Sequence, residues 1–357
     1  MSASPDLPRW ADILLVPALA LGAAVAAVGL VVLGLGEAPL EALRLMASGS
    51  LGSAEGVGFT LYYATSFAFA GLSVALAYHA GLFNIGAEGQ ATLGGIGIAA
   101  ACLGAERLPG LLLVPLAILA GAAFGGLWGL IPGYLFARRG SHVVITTIML
   151  NFLASILLVT LLVDVIGRPG SMAVETRSFP PGARLPTLHE LLPGLDPTPL
   201  NLSAALALAC AVAVWLLIHR TRAGYAIRVV GANPLAAAYA GIPAPRVAML
   251  AMALSGALAS GVAVNEILGV QHRLLLDFTG GAGFLGIAVA LMGRAHPAGI
   301  LLASLLFGAL AQGGAELAFE RPAITRDMVL VIGGIVIFFA GALDGLFRGI
   351  AGRLVGA

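Results

Sequence analysis

The sequence contains no lysine: all 18 basic residues are arginine. That excludes a Schiff-base lysine, and with it the phosphate-loop lysine of a G-x-x-x-x-G-K-[ST] motif. Whatever the chain does, it does not bind ATP through a Walker site of its own. Cysteine is almost as scarce. Cys102 and Cys210 both fall inside apolar runs, where they pack as small hydrophobes and support neither a disulfide framework nor a metal site. The zinc signature H-E-x-x-H is missing. The stretch "ALSG" at 253–256 lacks the first glycine of a serine-protease elbow, so nothing supports an intramembrane enzyme. Charge is sparse as well, at 10% of 357 residues, against about a quarter in a soluble domain. A net charge of +1 offers no electrostatic case for nucleic acid.

What is present is apolar: 60% of the residues are hydrophobic and the mean hydropathy is +1.02. The runs reach helix-spanning length, roughly 20 residues, and lack the alternation of a membrane β-barrel. The chain is therefore an all-α integral protein of the lipid bilayer. Apolar runs between charged or proline-rich breaks give about ten spans, near 13–35, 58–78, 84–104, 109–137, 143–166, 200–219, 245–268, 279–293, 297–316 and 327–347. The first is too long for a signal-peptide core and is read as a retained helix. The fourth exceeds what a bilayer needs and is expected to tilt.

Arginine in the short loops sets the orientation. With the N-terminus cytoplasmic, Arg138, Arg139, Arg220, Arg222, Arg228, Arg294, Arg348 and Arg353 fall inside. Segment 36–57, with Glu37, Glu41 and Glu55 against Arg44, falls outside, and both termini are cytoplasmic. Ten spans divide into two inverted sets of five: residues 1–167 and 199–357, separated by an extracytoplasmic loop at 168–198. Spans three and eight, "AGLFNIGAEGQATLGGIG" and "FTGGAGFLGIAVALMG", are short and glycine-interrupted. Such a pair at matching positions in two halves points to a transport site, although glycine also serves close helix packing.

Polar residues stand inside the first of these breaks. Glu88 would be costly facing lipid, so it faces the bundle interior or a wet path. Asn84, four residues earlier, shares its helical face and is placed to cap the third helix, with "AGLF" as an unwound entry. Asn84, Glu88 and Gln90 either touch a solute or tie and gate helices. Asn151 in the fifth span reads as an interhelical bond. Phe83 and Phe284, beside the two breaks, are placed to stack on a ring or to pack. Asn265 and Glu266 read as the outer end of the seventh span, where a partner protein would meet them.

The segment 220–244 is the most legible stretch outside the membrane. Asn233 suits an N-cap, Pro234 the first helical position and Gly241 the C′ position, with Pro243 preventing continuation. The result is a helix of about two turns, too short to span and marginal alone. It reads as a docking element for a soluble partner, or else as a surface helix resting on the bundle or on lipid headgroups.

"AGLFNIGAEGQ" (80–90), "TIMLN" (147–151), "GANPLAAAYAGI" (231–242) and "GFLGIAVALMGRAHPAGILLASLLFGAL" (283–310) resemble the inner-membrane permeases of ABC importers. The likeness is to the branch serving simple sugars and nucleosides, and within it to the longer of two paired permeases that work with a basic-membrane-protein-type binding lipoprotein. The resemblance covers nearly the whole chain from the second span onward. It implies a bacterial inner-membrane complex: a second homologous permease, a tandem-domain ABC ATPase, and an extracytoplasmic substrate-binding lipoprotein. It also implies that ATP and Mg act on the ATPase, with no cofactor on this chain. Gly231, Asn233, Ala236, Ala237 and Gly241 would form the coupling helix. One departure is Ser141-His142, where such permeases commonly carry an Asn-Glu pair. The competing function is an ion-coupled secondary transporter of a small polar solute, for which Glu88 and Asp164 are the only reasonable ion carboxylates.

Overall fold

The computed structural model describes residues 8–355 apart from 9, 12–14, 169, 171, 193, 195, 322, 323, 325 and 340–343. In chain order the helices are α1 Val16–Gly34, α2 Pro39–Leu51, α3 Ala54–His79, α4 Ala87–Gly104, α5 Gly110–Arg139 and α6 Val143–Thr160. A single turn, α7 Leu188–Leu191, lies in the long loop 168–198. Then come α8 Ser203–Arg220, α9 Arg222–Ala232, α10 Pro234–Tyr239, α11 Ala244–Ala259, α12 Gly261–Ala263, α13 Ala282–Met292, α14 Pro297–Glu320, α15 Arg326–Ile337 and α16 Asp344–Val355. Wider π-helical turns extend α6 over Leu161–Val165 and α12 over Val264–Gln271.

Among the described residues, six helical segments are long and apolar enough to cross a membrane: Ala54–His79, Gly110–Arg139, Val143–Val165, Ser203–Arg220, Ala244–Gln271 and Pro297–Glu320. A seventh arises if the pair α1–α2, bent by 115°, counts as one span. The remaining expected spans are shorter or more polar. The third begins only at Ala87 and is glycine-rich, and the eighth is the eleven-residue α13. The tenth divides into α15 and α16, with part of its middle outside the described residues. Segment 36–57, read from its charges as a plain outer stretch, contains α2. Pro39 at its first position and Glu41 in its first turn are both favourable at a helix start.

The chain forms two compact units, residues 1–60 with 307–357, and residues 61–306. In the first, α1 packs on α2, α15 and α16, and Ala24, Val28, Val32, Met46 and Leu317 share a core. Arg321 reaches both Glu37 and Glu41 in this unit.

The second unit is built around α5, which packs along α4 and α11. Glycine makes that contact possible. A methyl group on Gly125 would stand 2.5 Å from the Gly256 carbonyl, and one on Gly129 would stand 2.4 Å from the Met252 carbonyl. In lipid, where helices gain little hydrophobic drive to associate, such backbone approach is a main source of adhesion. The loop 168–198 is tied down onto this unit. Phe179 and Leu185 are buried, and their amides donate to the carbonyls of His272 (2.7 Å) and Leu268 (3.0 Å).

Candidate functional site

The chain leaves helix after His79 and does not re-enter it until Ala87. Gly81 permits the exit, with φ of +74°, a value at which any residue with a Cβ is strained. "AGLF" is therefore unwound, and so are Asn84 and Ile85. Asn84 consequently does not share a helical face with Glu88, nor does it cap α4. Its carboxamide oxygen accepts from the Gly86 amide (2.8 Å), closing a local turn before the helix begins. Its nitrogen donates to Gln90 Oε1 (2.9 Å) and to Ser255 Oγ (2.8 Å) on α11. Ser255 in turn donates to the Ser73 carbonyl (2.7 Å) on α3. Asn84 is 0% exposed and Gln90 1%. A buried amide without partners costs several kcal/mol in lipid, and this polar knot supplies them.

The cap of α4 comes from another helix. Asn151 on α6 accepts from the Gly89 amide (2.9 Å), a free donor of the first turn, and donates to the Ile85 carbonyl (2.9 Å). It thereby satisfies one group in the unwound stretch and one in the first turn of α4.

Glu88 joins the two glycine-interrupted segments. Segment 272–281 carries left-handed backbone at His272, Asp277, Gly280 and Gly281, and α13 starts directly after it. The Glu88 carboxylate accepts from Thr279 Oγ1 and from the amides of Gly281 (3.3 Å) and Gly283 (2.8 Å). Those amides belong to the N-terminus of α13, where a negative charge is favoured. A Cβ on Gly283 would stand 2.3 Å from the Glu88 amide nitrogen, so α13 rests directly on the first turn of α4. Beside the carboxylate lies a cavity of about 290 Å³ lined by Glu88, Thr92, Ser155, Leu158, Asp277 and Thr279, among others. Phe284 is 49% exposed, and Phe83 is part-buried in the unwound stretch.

The short helix α10 has the boundaries its sequence dictates. Asn233 Oδ1 accepts from the amides of Leu235 (3.0 Å) and Ala236 (3.1 Å), and Pro234 opens the helix. At the other end Gly241 has φ of +74°. Its amide donates to the Ala238 carbonyl and that of Ile242 to the Ala237 carbonyl, the paired bonds of a glycine-terminated helix. Ala237 is buried and Ala236 exposed. Gly231 is not part of this helix. It lies near the end of α9, and a Cβ there would stand 2.2 Å from the His79 carbonyl and 2.8 Å from the Gly81 nitrogen.

Sequence reading missed two participants. Ser255 lay in plain view within "ALSG", and Thr279 one residue before the glycine pair; only tertiary packing shows what they bond. Glu266, read with Asn265 as a place where a partner protein would meet the chain, accepts from Tyr62 and from Ser66 (3.1 Å). Its neighbour Asn265, expected to meet a partner protein, is instead buried at 1% exposure. It is held by Asn201, Ser203, Ser66 and the Tyr62 carbonyl.

Comparison with known proteins supports this picture. The family described as "Branched-chain amino acid transport system / permease component" matches residues 56–341. The guanosine ABC transporter permease protein NupP of Bacillus subtilis is 35% identical, over 92% of this chain and 93% of its own length. The glucose ABC transporter permease protein TsgB13 of Haloferax volcanii is 36% identical, over 90% and 86%. A second guanosine permease of Bacillus subtilis, NupQ, is more distant at 27%, over 70% and 78%. These likenesses support ATP-driven import and not the ion-coupled alternative. With the family match over most of its length and these near-full-length relatives, the chain belongs to the family of ABC transport-system permease components.

Proposed function

We propose that the chain forms the translocation path of an importer for a nucleoside or a simple sugar, delivered by an external binding lipoprotein and driven by a tandem-domain ABC ATPase. The observation that carries this is near-full-length similarity to permeases named for guanosine and for glucose. Bacillus subtilis has two permeases named for guanosine, and this chain is more similar to NupP than to NupQ. That favours a heterodimer with a second, shorter permease. The fuller architecture we propose is ten crossings in two inverted halves, 1–167 and 199–357, around the outer loop 168–198. Both termini and segment 220–244 then lie on the cytoplasmic side of the inner membrane, with α10 gripped by the ATPase.

The path runs past the two breaks. Glu88, Thr92, Ser155 and Thr279 give it sparse polar contacts on an otherwise apolar wall, which suits a permease that must release what it receives. Asn84, Gln90 and Asn151 hold the wall in shape, and Phe83 and Phe284 flank it. The test is to isolate the complex that copurifies with this chain and screen nucleosides and sugars on its binding subunit for stimulation of ATP hydrolysis. Stimulation by a nucleoside or sugar supports the reading. Stimulation confined to amino acids would overturn the substrate class.

A further inference from the structure

Helix α13 is a half-helix. It has eleven residues, about 16 Å at 1.5 Å per residue, roughly half of a 30 Å hydrocarbon core. Its C-terminal end leads into the loop of Arg294 and Ala295, where the Ala295 carbonyl meets His79 Nε2 (3.0 Å) at the end of α3. With that loop at the cytoplasmic face, the N-terminus of α13 lies near the middle of the membrane. In discontinuous transporter helices, N-termini at this depth attract the anionic group of a solute. Here the place is taken: Glu88 already accepts from the amides of Gly281 and Gly283 and from the Thr279 hydroxyl.

The adjoining cavity carries the same bias. Thr92 gives its proton to the Glu88 carbonyl (2.9 Å) and Ser155 gives its own to the Asn151 carbonyl (3.2 Å). Thr279 gives its proton to the Glu88 side chain. All three hydroxyls therefore turn lone pairs toward the space, and Asp277 adds a second carboxylate to the lining. A wall of acceptors suits a solute rich in O–H and N–H donors, and repels one that carries phosphate or carboxylate.

We propose that Glu88 is a built-in anion occupying the N-terminus of α13, and that it sets the path against anionic solutes. The assignment of charge selectivity rests on reading the cavity as the path; the occupancy of the helix end does not. Neutral nucleosides and sugars pass, while their phosphorylated forms are rejected at this point even when they reach it.

The test uses the purified permease complex. Glu88→Ala vacates the helix end, and its melting temperature should fall by several degrees and recover by at least half in millimolar formate, with wild type unmoved. Glu88→Gln keeps the volume, loses the charge and leaves no room, so it should also melt early but gain nothing from formate. A purely volume-filling role predicts the opposite: Glu88→Gln melting as wild type and no formate response in Glu88→Ala. Either result overturns the proposal. If Glu88→Ala does not fold, the melting temperature of Glu88→Gln decides alone. For selectivity, 10 mM inorganic phosphate should inhibit solute uptake at least fivefold more in Glu88→Ala than in wild type; equal inhibition would overturn that part. Formate rescue of Glu88→Ala, alongside a wild-type complex that moves neither guanosine nor glucose, would leave Glu88 at the helix end and remove the substrate reading instead.

Discussion

Gly231 and Gly81 touch backbone to backbone: a methyl on Gly81 would stand 3.2 Å from both the α-carbon and the carbonyl oxygen of Gly231. One residue lies two positions before the cap of α10, the other in the break between α3 and α4. The contact places the segment that leads into α10 directly against the unwound stretch that leads to Asn84 and Glu88. A push on α10 thus has a short, rigid route into the break.

Gly231→Val tests that route. Its Cβ would fall 2.2 Å from the His79 carbonyl, and overpacking of this kind typically costs about 1–3 kcal/mol. The variant should insert in the membrane and keep basal ATP hydrolysis in the complex, yet lose substrate-stimulated hydrolysis and uptake. Wild-type stimulation would show that the contact transmits nothing.

Asn233→Ala removes both cap bonds of a six-residue helix. Loss of an N-cap costs about 1 kcal/mol, a large fraction for an element this short. Stimulated hydrolysis should drop severalfold while expression stays normal, and Asn233→Asp, which still caps, should restore most of it. Equal activity in the alanine and aspartate variants would count against a folded α10 in the docked state.

Asn151→Leu leaves the Gly89 amide and the Ile85 carbonyl without partners. Each orphaned buried group costs about 1–3 kcal/mol, so the melting temperature of the purified complex should fall clearly. Asn151→Ala leaves the same groups orphaned but can admit water, and should fall less. An unchanged melt in Asn151→Leu would mean that the break does not depend on α6.

A pH dependence is expected where the loop 168–198 meets His272. Burial, and then the charge of Arg184, hold the His272 imidazole below its ordinary pKa, against the bond to the Leu268 carbonyl and the charge of Glu190. The unfolded state therefore takes up the proton first. The loop anchored by the Phe179–His272 backbone bond should be fully held above about pH 6.5, and should loosen as pH falls through that value toward the lower folded one. Hydrogen exchange at the Phe179 amide reads this directly. His272→Asn, which tolerates the left-handed backbone (φ +52°), should abolish the pH dependence without raising exchange at neutral pH.

The chain's local grammar was readable where local chemistry decides. Asn233, Pro234 and Gly241 bound their helix without help from anything distant, and "AGLF" unwinds because Gly81 favours the left-handed turn there. Glu88 had to face inward because lipid admits no unpaired carboxylate. Partner identity was not readable. Asn84 bonding Ser255, and Asn151 capping α4 in place of Asn84, are choices made by packing between segments more than sixty residues apart. Helix α2 escaped notice because its charges resembled a loop, and Asn265 looked like a surface residue because a polar pair at a span end usually is one.

The central claim is that this chain is a passive path driven by a separate ATPase, and the direct measurement is uptake of labelled guanosine and glucose into proteoliposomes holding the copurified complex and its binding protein. The account predicts accumulation of one of them with ATP on the ATPase side and none with a proton or sodium gradient alone. Gradient-driven uptake by the permease without any ATPase would contradict it.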